Sequence, residues 1–197
     1  MESNMTILAI TGNHCHMENI SKYHVNSDNY RDIRSNIKYT NRKILKNAVE
    51  SRSIYCISSS LGGFFARCLN LQFPFITSIM INPSLSPFLS LRKYGVKKTI
   101  LYQYVRLFER FYNANEDGFD NLFAILGDSD EVIDHENSTK LLLPYGFDEH
   151  IHTIKGGTHQ LEITDEVASI LKNIINPPPI KENCIRRVLG LEDMRLP

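Results

Sequence analysis

The sequence predicts an α/β protein with a mostly parallel sheet flanked by helices and a small helical lid. Short apolar runs ended by turn signals recur along the 197-residue chain, at 5–10, 54–57, 75–81, 121–126 and 150–154. Runs of this kind are typical of strands buried on both faces of a parallel sheet. Segments with apolar residues at helical spacing lie between several of them. The alternation of the two patterns favours parallel strands joined by helices.

Length and composition predict one domain with a sizeable core. We assign it to residues 1–179, with the lid at about 84–118 and a short tail at 180–197. Lys plus Arg and Asp plus Glu both number 22, so the formal net charge is zero. This balance gives no whole-molecule attraction to nucleic acid or to an anionic membrane.

Several features predict a cytoplasmic protein. No apolar run approaches the roughly 20 residues that span a bilayer. Residues 1–4 are polar and are followed by a strand pattern, which does not fit a secretory signal. The four cysteines show no paired spacing, so we expect free thiols in a reducing compartment. They are Cys15, Cys56, Cys68 and Cys184.

Helical patterns precede and follow the strand at 54–57. Positions 44, 45, 48 and 49 share one helical face, which predicts an amphipathic helix over 37–51. The segments 61–71 and 167–175 predict two further helices, and another is expected to close at 141–145. A short strand is possible at 22–25.

The lid is predicted from the segment after the strand at 75–81. Residues 84–90 contain a proline and resemble a loop, and an apolar and aromatic stripe at near-helical spacing follows over 93–112. We expect one or two helices over the site. An equally supported interpretation is that the stripe simply faces the core.

A serine-rich turn stands at the centre of the chain. The strand at 54–57 runs into Ser58, Ser59 and Ser60, and two glycines and a helical segment follow. This is the pattern G-x-S-x-G of a nucleophile elbow, except that Ser58 replaces the first glycine. Ser60 is the candidate nucleophile because Ser58 lies two residues before it and Gly62 two residues after it. Ser59 would put the branched Leu61 at that second position. A serine-rich strand end without chemistry is the alternative.

Backbone N–H groups near this turn are candidates to bind an oxyanion. Leu61 N–H stands at the start of the helix that follows Ser60, where unpaired amides meet negative charge. The first strand ends in a glycine turn, and Asn13 N–H is the candidate second donor there. The neighbouring segment 14–16, His-Cys-His, is better interpreted as a polar loop than as a metal site, because no partner ligands have fitting spacing. We predict no metal and no cofactor.

An acid and a histidine follow two later strands, so Ser60, Asp130 and His159 occur in this order. The same order of nucleophile, acid and base is found in α/β-hydrolases. A serine needs a base to accept its proton, an imidazole is such a base near neutral pH, and a carboxylate fixes the imidazole tautomer. Asp128 and Asp134 compete with Asp130, which is preferred because it can reach across its loop.

Three other histidines are weaker candidates for the base. His150 and His152 fall inside the predicted strand at 150–154. His135 stands beside the acid loop and is expected to be a solvated residue at a helix start.

Four motifs resemble the YqiA-type small bacterial esterases of the α/β-hydrolase superfamily. They are SSLGGFFA at 59–66, INP at 81–83 with Pro87-Phe88, GDSDEV at 127–132 and GGTH at 156–159. The resemblance covers about 54–175 and implies Ser60 as nucleophile, Asp130 as acid and His159 as base. The sequence differs from the family pattern at Thr11, where a histidine is usual, and at Ser58. The interval from the first glycine turn to the elbow also looks short.

The predicted function is that of a serine esterase or thioesterase on small acyl substrates, acting through an acyl-enzyme at Ser60. The alternative is an inactive hydrolase-fold protein that binds a protein partner through the lid or the tail. An acyltransferase would share the triad and prefer an acceptor other than water.

Overall fold

The structure is a computed structural model that describes residues 5–11, 23–26, 53–73, 75–112, 121–142 and 150–175. Six strands in these ranges form one sheet of order β2-β1-β3-β4-β5-β6, in which every neighbouring pair is parallel. The strands are β1 (Met5–Thr11), β2 (Tyr23–Asn26), β3 (Ser53–Ser59), β4 (Thr77–Ile81), β5 (Leu122–Gly127) and β6 (Ile151–Ile154). The predicted parallel sheet is confirmed, and no strand end differs from the predicted one by more than two residues.

Helices follow most of the strands. They are α1 (Leu61–Gln72), α2 (Pro87–Ser90), α3 (Lys98–Tyr112), α4 (His135–Leu142) and α5 (Asp165–Ile175), with a 3-10 turn at Leu91–Tyr94. The prediction of a loop over 84–90 was wrong in part, because α2 occupies its second half. Pro87 is the first residue of α2, a position where its fixed φ suits a helix and its missing N–H costs nothing.

The core lies between the sheet and helices α1 and α3. Phe64 and Phe65 of α1 pack edge-on against Tyr104 of α3, with ring centroids 5.5 and 6.4 Å away. Tyr104 is fully buried, and four other residues of its stripe, Ile100, Leu101, Leu107 and Phe108, pack against the same cluster. The stripe on α3 therefore faces the core, which is the second of the two interpretations. The lid role of the segment stays a prediction.

The two cysteines in the described ranges are free thiols. Cys56 on β3 and Cys68 on α1 are both fully buried. Burial raises the pKa of the Cys56 thiol to about 12 and also raises the pKa of Cys68, against the weaker opposing charge of Arg67. Both sulfurs are thereby kept protonated and unreactive.

Some predictions fall outside the described residues. These are the helix at 37–51, the Asn13 amide, the segment 14–16, the thiols of Cys15 and Cys184, and the tail at 180–197. Backbone contacts group the chain up to Glu162 into one compact unit, and α5 belongs to the second. The single-domain boundary at residue 179 stays a prediction. None of the helices in the described ranges is long and apolar enough to cross a bilayer.

Candidate active site

Ser60 lies in a strained turn between β3 and α1. Its backbone has φ 49° and ψ −125°, a conformation that costs a non-glycine residue about 1 to 3 kcal/mol. The turn is held by β4 and by the segment after it, since Ser60 N–H donates to Ile81 O at 3.0 Å and Ser84 N–H donates to Ser60 O at 2.9 Å. Strain of this kind at a strand-to-helix turn is what lifts the serine of a nucleophile elbow above the sheet edge.

Small residues surround the elbow. A Cβ atom on Gly63 would lie 2.4 Å from Pro83 Cβ, so α1 can approach the segment after β4 this closely only with glycine there. Ser58, which replaces the usual glycine, is fully buried, and its hydroxyl donates to Ile79 O at 3.4 Å. The substitution is therefore accommodated inside β3. The Thr11 side chain lies outside what the structure describes.

Ser60, His159 and Asp130 form a hydrogen-bonded row. Ser60 Oγ lies 3.0 Å from His159 Nε2, and His159 Nδ1 lies 2.9 Å from Asp130 Oδ2. A carboxylate can only accept, so Nδ1 carries the proton and Nε2 presents its lone pair to the serine hydroxyl. The structure thus brings the three sequence-predicted side chains together.

The Asp130 carboxylate is fully buried but well supplied with donors. Its Oδ1 accepts the N–H groups of Val132 and Ile133 at 2.8 and 2.9 Å. Burial alone would raise the pKa of Asp130, but contacts from His135 and His159 and these two amides outweigh it and hold the pKa well below its usual range. Asp130 is therefore ionised at neutral pH.

The other candidates for the catalytic acid and base make different contacts. Asp128 Oδ1 accepts Gly156 N–H at 2.7 Å, and Asp134 Oδ1 accepts Glu136 N–H at the start of α4. His150 lies just before β6, not within it, and its Nδ1 is 3.0 Å from Leu122 O.

His135 differs from its prediction. Its side chain is only 16% exposed and its Nε2 lies 2.9 Å from Asp130 Oδ2. The prediction of a solvated residue was wrong because the turn after Asp130 folds α4 back onto the acid.

Asn82 holds the acid and base loops together, a role the sequence did not reveal. It has a positive φ of 43° and is 1% exposed. Its Oδ1 accepts Gly127 N–H at 2.7 Å, and its Nδ2 donates to Thr158 O at 2.8 Å and His159 O at 3.0 Å. The signal that could have indicated this role was an asparagine before a proline at a strand end, since asparagine tolerates positive φ better than most residues.

Two glycines let the same loops meet. A Cβ atom on Gly127 would lie 2.3 Å from Gly157 O, and one on Gly157 would lie 2.9 Å from Gly127 Cα. Ser129 N–H donates to Gly157 O at 2.9 Å across this contact. The backbones after β5 and β6 therefore touch where Asp130 and His159 project.

A cavity of about 660 Å³ opens beside Ser60 and His159, a size typical of small-ligand sites. Leu61, Leu91, Val96 and Val132 give it apolar walls, and Glu131 supplies its one carboxylate among the described lining residues. The Glu131 carboxylate also accepts His159 N–H at 3.2 Å. Leu61 is the first residue of α1, so its N–H lies outside the helical hydrogen-bond ladder.

Solved structures with this fold include several esterases. The esterase Pf2001 of Pyrococcus furiosus has a TM-score of 0.60 at 15% identity, covering 88% of this chain and 82% of that chain. Est1E from Butyrivibrio proteoclasticus has a TM-score of 0.57 at 17% identity, covering 89% and 90%. One structure from the pair of metagenome-derived lipolytic enzymes LipS and LipT has a TM-score of 0.61 at 10% identity, covering 88% of this chain and 92% of that chain. The chain therefore has an α/β-hydrolase fold.

The family follows from a separate comparison. A family model matches residues 4–175, and the chain belongs to this family, described as Uncharacterised protein family (UPF0227). The resemblance to YqiA-type proteins is thereby confirmed. A comparison with curated proteins finds no match to this sequence.

Proposed function

We propose that the protein is a serine hydrolase that cleaves small acyl esters or thioesters through an acyl-enzyme at Ser60. The observation that carries this proposal is the row from Ser60 Oγ through the His159 ring to the buried Asp130 carboxylate. The strained backbone at Ser60 supports the proposal further, because costly backbone conformations of this kind cluster at active sites.

The chemistry proceeds in two halves. Ser60 Oγ attacks the acyl carbonyl carbon while His159 Nε2 takes the hydroxyl proton, and the carbonyl electron pair moves onto oxygen. The bond to the leaving oxygen or sulfur then breaks, and His159 returns its proton to that atom. Water repeats the sequence on the acyl-enzyme and releases the acid. Asp130 keeps its charge throughout and stabilises the imidazolium.

The oxyanion is assigned to backbone donors. Leu61 lines the cavity beside Ser60 and its N–H is proposed as the first donor, and Asn13 N–H is proposed as the second donor from the sequence alone. Each such donor typically contributes about a hundred- to a thousandfold in rate.

The cavity indicates which acyl groups suit the site. Its described lining has apolar walls, no Lys or Arg, and the Glu131 carboxylate. An uncharged acyl chain can bury itself there, whereas a chain ending in a carboxylate would be repelled by Glu131 and find no Lys or Arg among the described lining residues. We propose neutral short acyl chains as the substrate class.

Hydrolysis of matched acyl derivatives tests the proposal. Nitrophenyl esters and acyl thioesters of increasing chain length are compared with one whose acyl chain ends in a carboxylate. The wild-type protein should prefer the neutral chains, and Ser60→Ala should lower kcat/KM by about a thousandfold or more. Equal, negligible rates for both proteins on every substrate would favour the inactive binding protein.

A further inference from the structure

A second histidine contacts the carboxylate of the row. His135 is the first residue of α4, and its Nε2 lies 2.9 Å from Asp130 Oδ2, the same oxygen that His159 Nδ1 approaches at 2.9 Å. Asp130 Oδ2 is therefore shared between two imidazole rings. The proposed hydrolytic steps use only one of them.

His135 has few other polar contacts. Both ring nitrogens are buried, and neither has a well-aligned hydrogen-bond partner in the part of the chain that the structure describes. The short distance to Asp130 is thus a close electrostatic contact. A neutral imidazole would place its N–H side toward a carboxylate and its lone pair away from it, so the Nε2–H tautomer is the one this position favours.

The shared oxygen has a consequence for His159. Negative charge on Asp130 stabilises the imidazolium form of His159, and every other donor on that carboxylate reduces the stabilisation. The amides of Val132 and Ile133 approach Oδ1, whereas His135 approaches the oxygen nearest His159. Its contact is therefore the one that competes most directly.

We propose that His135 is a positioning residue that holds the Asp130 carboxylate and sets the pH at which His159 becomes a base. The kinetic part of this proposal rests on the proposed hydrolase function. The coupling between the two rings through Asp130 does not.

Other charged groups lie near His135 and His159. Glu131 binds the His159 main-chain N–H, and Asp134 precedes His135 at the start of α4. Asp134 also lines a neighbouring cavity with Arg92 and Lys93. Because these groups are unchanged in a His135 variant, a shift on substitution reports the loss of the imidazole.

The test compares two substitutions at one position. His135→Phe keeps a planar ring and removes the donor, whereas His135→Gln keeps an N–H group that can reach the carboxylate. Phe should move the protonation midpoint of the His159 ring, followed by NMR, to higher pH by about half to one unit, the effect expected from losing one close polar contact to the carboxylate. In the Gln variant the His159 midpoint should lie close to its wild-type value, because most of the shift is reversed. The acid limb of the kcat/KM profile should move in parallel.

The control is His152→Phe. His152 is a half-buried histidine on β6, and its substitution should leave the His159 midpoint unchanged. In the wild-type protein, nitrogen NMR shifts should show His135 as the Nε2–H tautomer, a measurement that needs no variant to fold.

Three results would overturn the proposal. They are an unchanged His159 midpoint in His135→Phe, an equal shift in the Phe and Gln variants, or a His135 ring protonated at Nδ1 alone. The NMR readouts need no turnover. An inactive protein with the expected midpoint shift would refute the hydrolase function and leave the coupling supported. An active protein without the shift would support the hydrolase function and refute the coupling.

Discussion

Replacing Asn82 by Asp changes one nitrogen to oxygen at the point that joins the acid and base loops. The Asn82 amide donates two hydrogen bonds, to Thr158 O and His159 O, and accepts one from Gly127 N–H. A carboxylate can keep the accepted bond but turns its second oxygen toward two carbonyl oxygens. The substitution therefore reverses two contacts without changing shape.

The cost follows from these contacts. Two lost hydrogen bonds and a buried, unpaired carboxylate oxygen should destabilise the fold by about 3 to 5 kcal/mol at pH 8. Protonation restores one donor, so the loss should be smaller at pH 5. A loop displaced by roughly 1 Å would also lower kcat/KM by about a hundredfold. Urea unfolding at both pH values, with kcat/KM on a nitrophenyl ester, measures these effects.

Asn70→Asp is the matched control. Asn70 is also fully buried and donates to one carbonyl, Ile76 O, but its side-chain oxygen faces Arg67 at 3.2 Å. The cation offsets the new charge, so the loss of stability should be smaller and kcat/KM should change little. If Asn82→Asp matched Asn70→Asp in both readouts, the anchoring role of Asn82 would be refuted.

Two more substitutions test the same loops. Gly127→Ala places a Cβ atom 2.3 Å from the Gly157 backbone oxygen, so it should destabilise the fold by about 1 to 3 kcal/mol and lower kcat/KM. Gly95→Ala is the control, because Gly95 has positive φ but open space around it; this variant should lose stability and keep its activity. Equal activity in the two variants would refute the role of the Gly127–Gly157 contact in positioning the acid and base loops. The pKa of Asp130 is lowered from an ordinary 3.8, so its contribution to stability is present above that pH and is lost as the pH falls below it. Asp130→Asn should therefore flatten the fall in urea midpoint between pH 6 and pH 3, and parallel curves for the two proteins would count against this assignment.

The sequence was informative where local pattern decides structure. The apolar runs before Ser60, Asp130 and His159 predicted three parallel strands, whose carboxyl ends must share one sheet edge. That rule is why three residues distant in the chain could be predicted to meet. The spacing around Ser60 also selected it from three serines, and the structure places Ser60 on the strained turn.

The sequence was uninformative where contacts between loops decide structure. His135 resembled a solvated helix start, because nothing local indicates that α4 packs its first residue against Asp130. The bonds of Asn82 reach residues 45 and 76 positions away, beyond any periodic pattern. The helix α2 was missed because four residues are too few to show helical spacing.

The most direct test of the account is covalent labelling of Ser60. A fluorophosphonate probe reacts with a serine only when a neighbouring base activates its hydroxyl. Mass spectrometry of the wild-type protein should find one adduct, on the peptide that carries Ser60, and Ser60→Ala should show none. A folded wild-type protein that stays unlabelled while a known serine hydrolase is labelled under the same conditions would contradict the proposal that His159 activates Ser60.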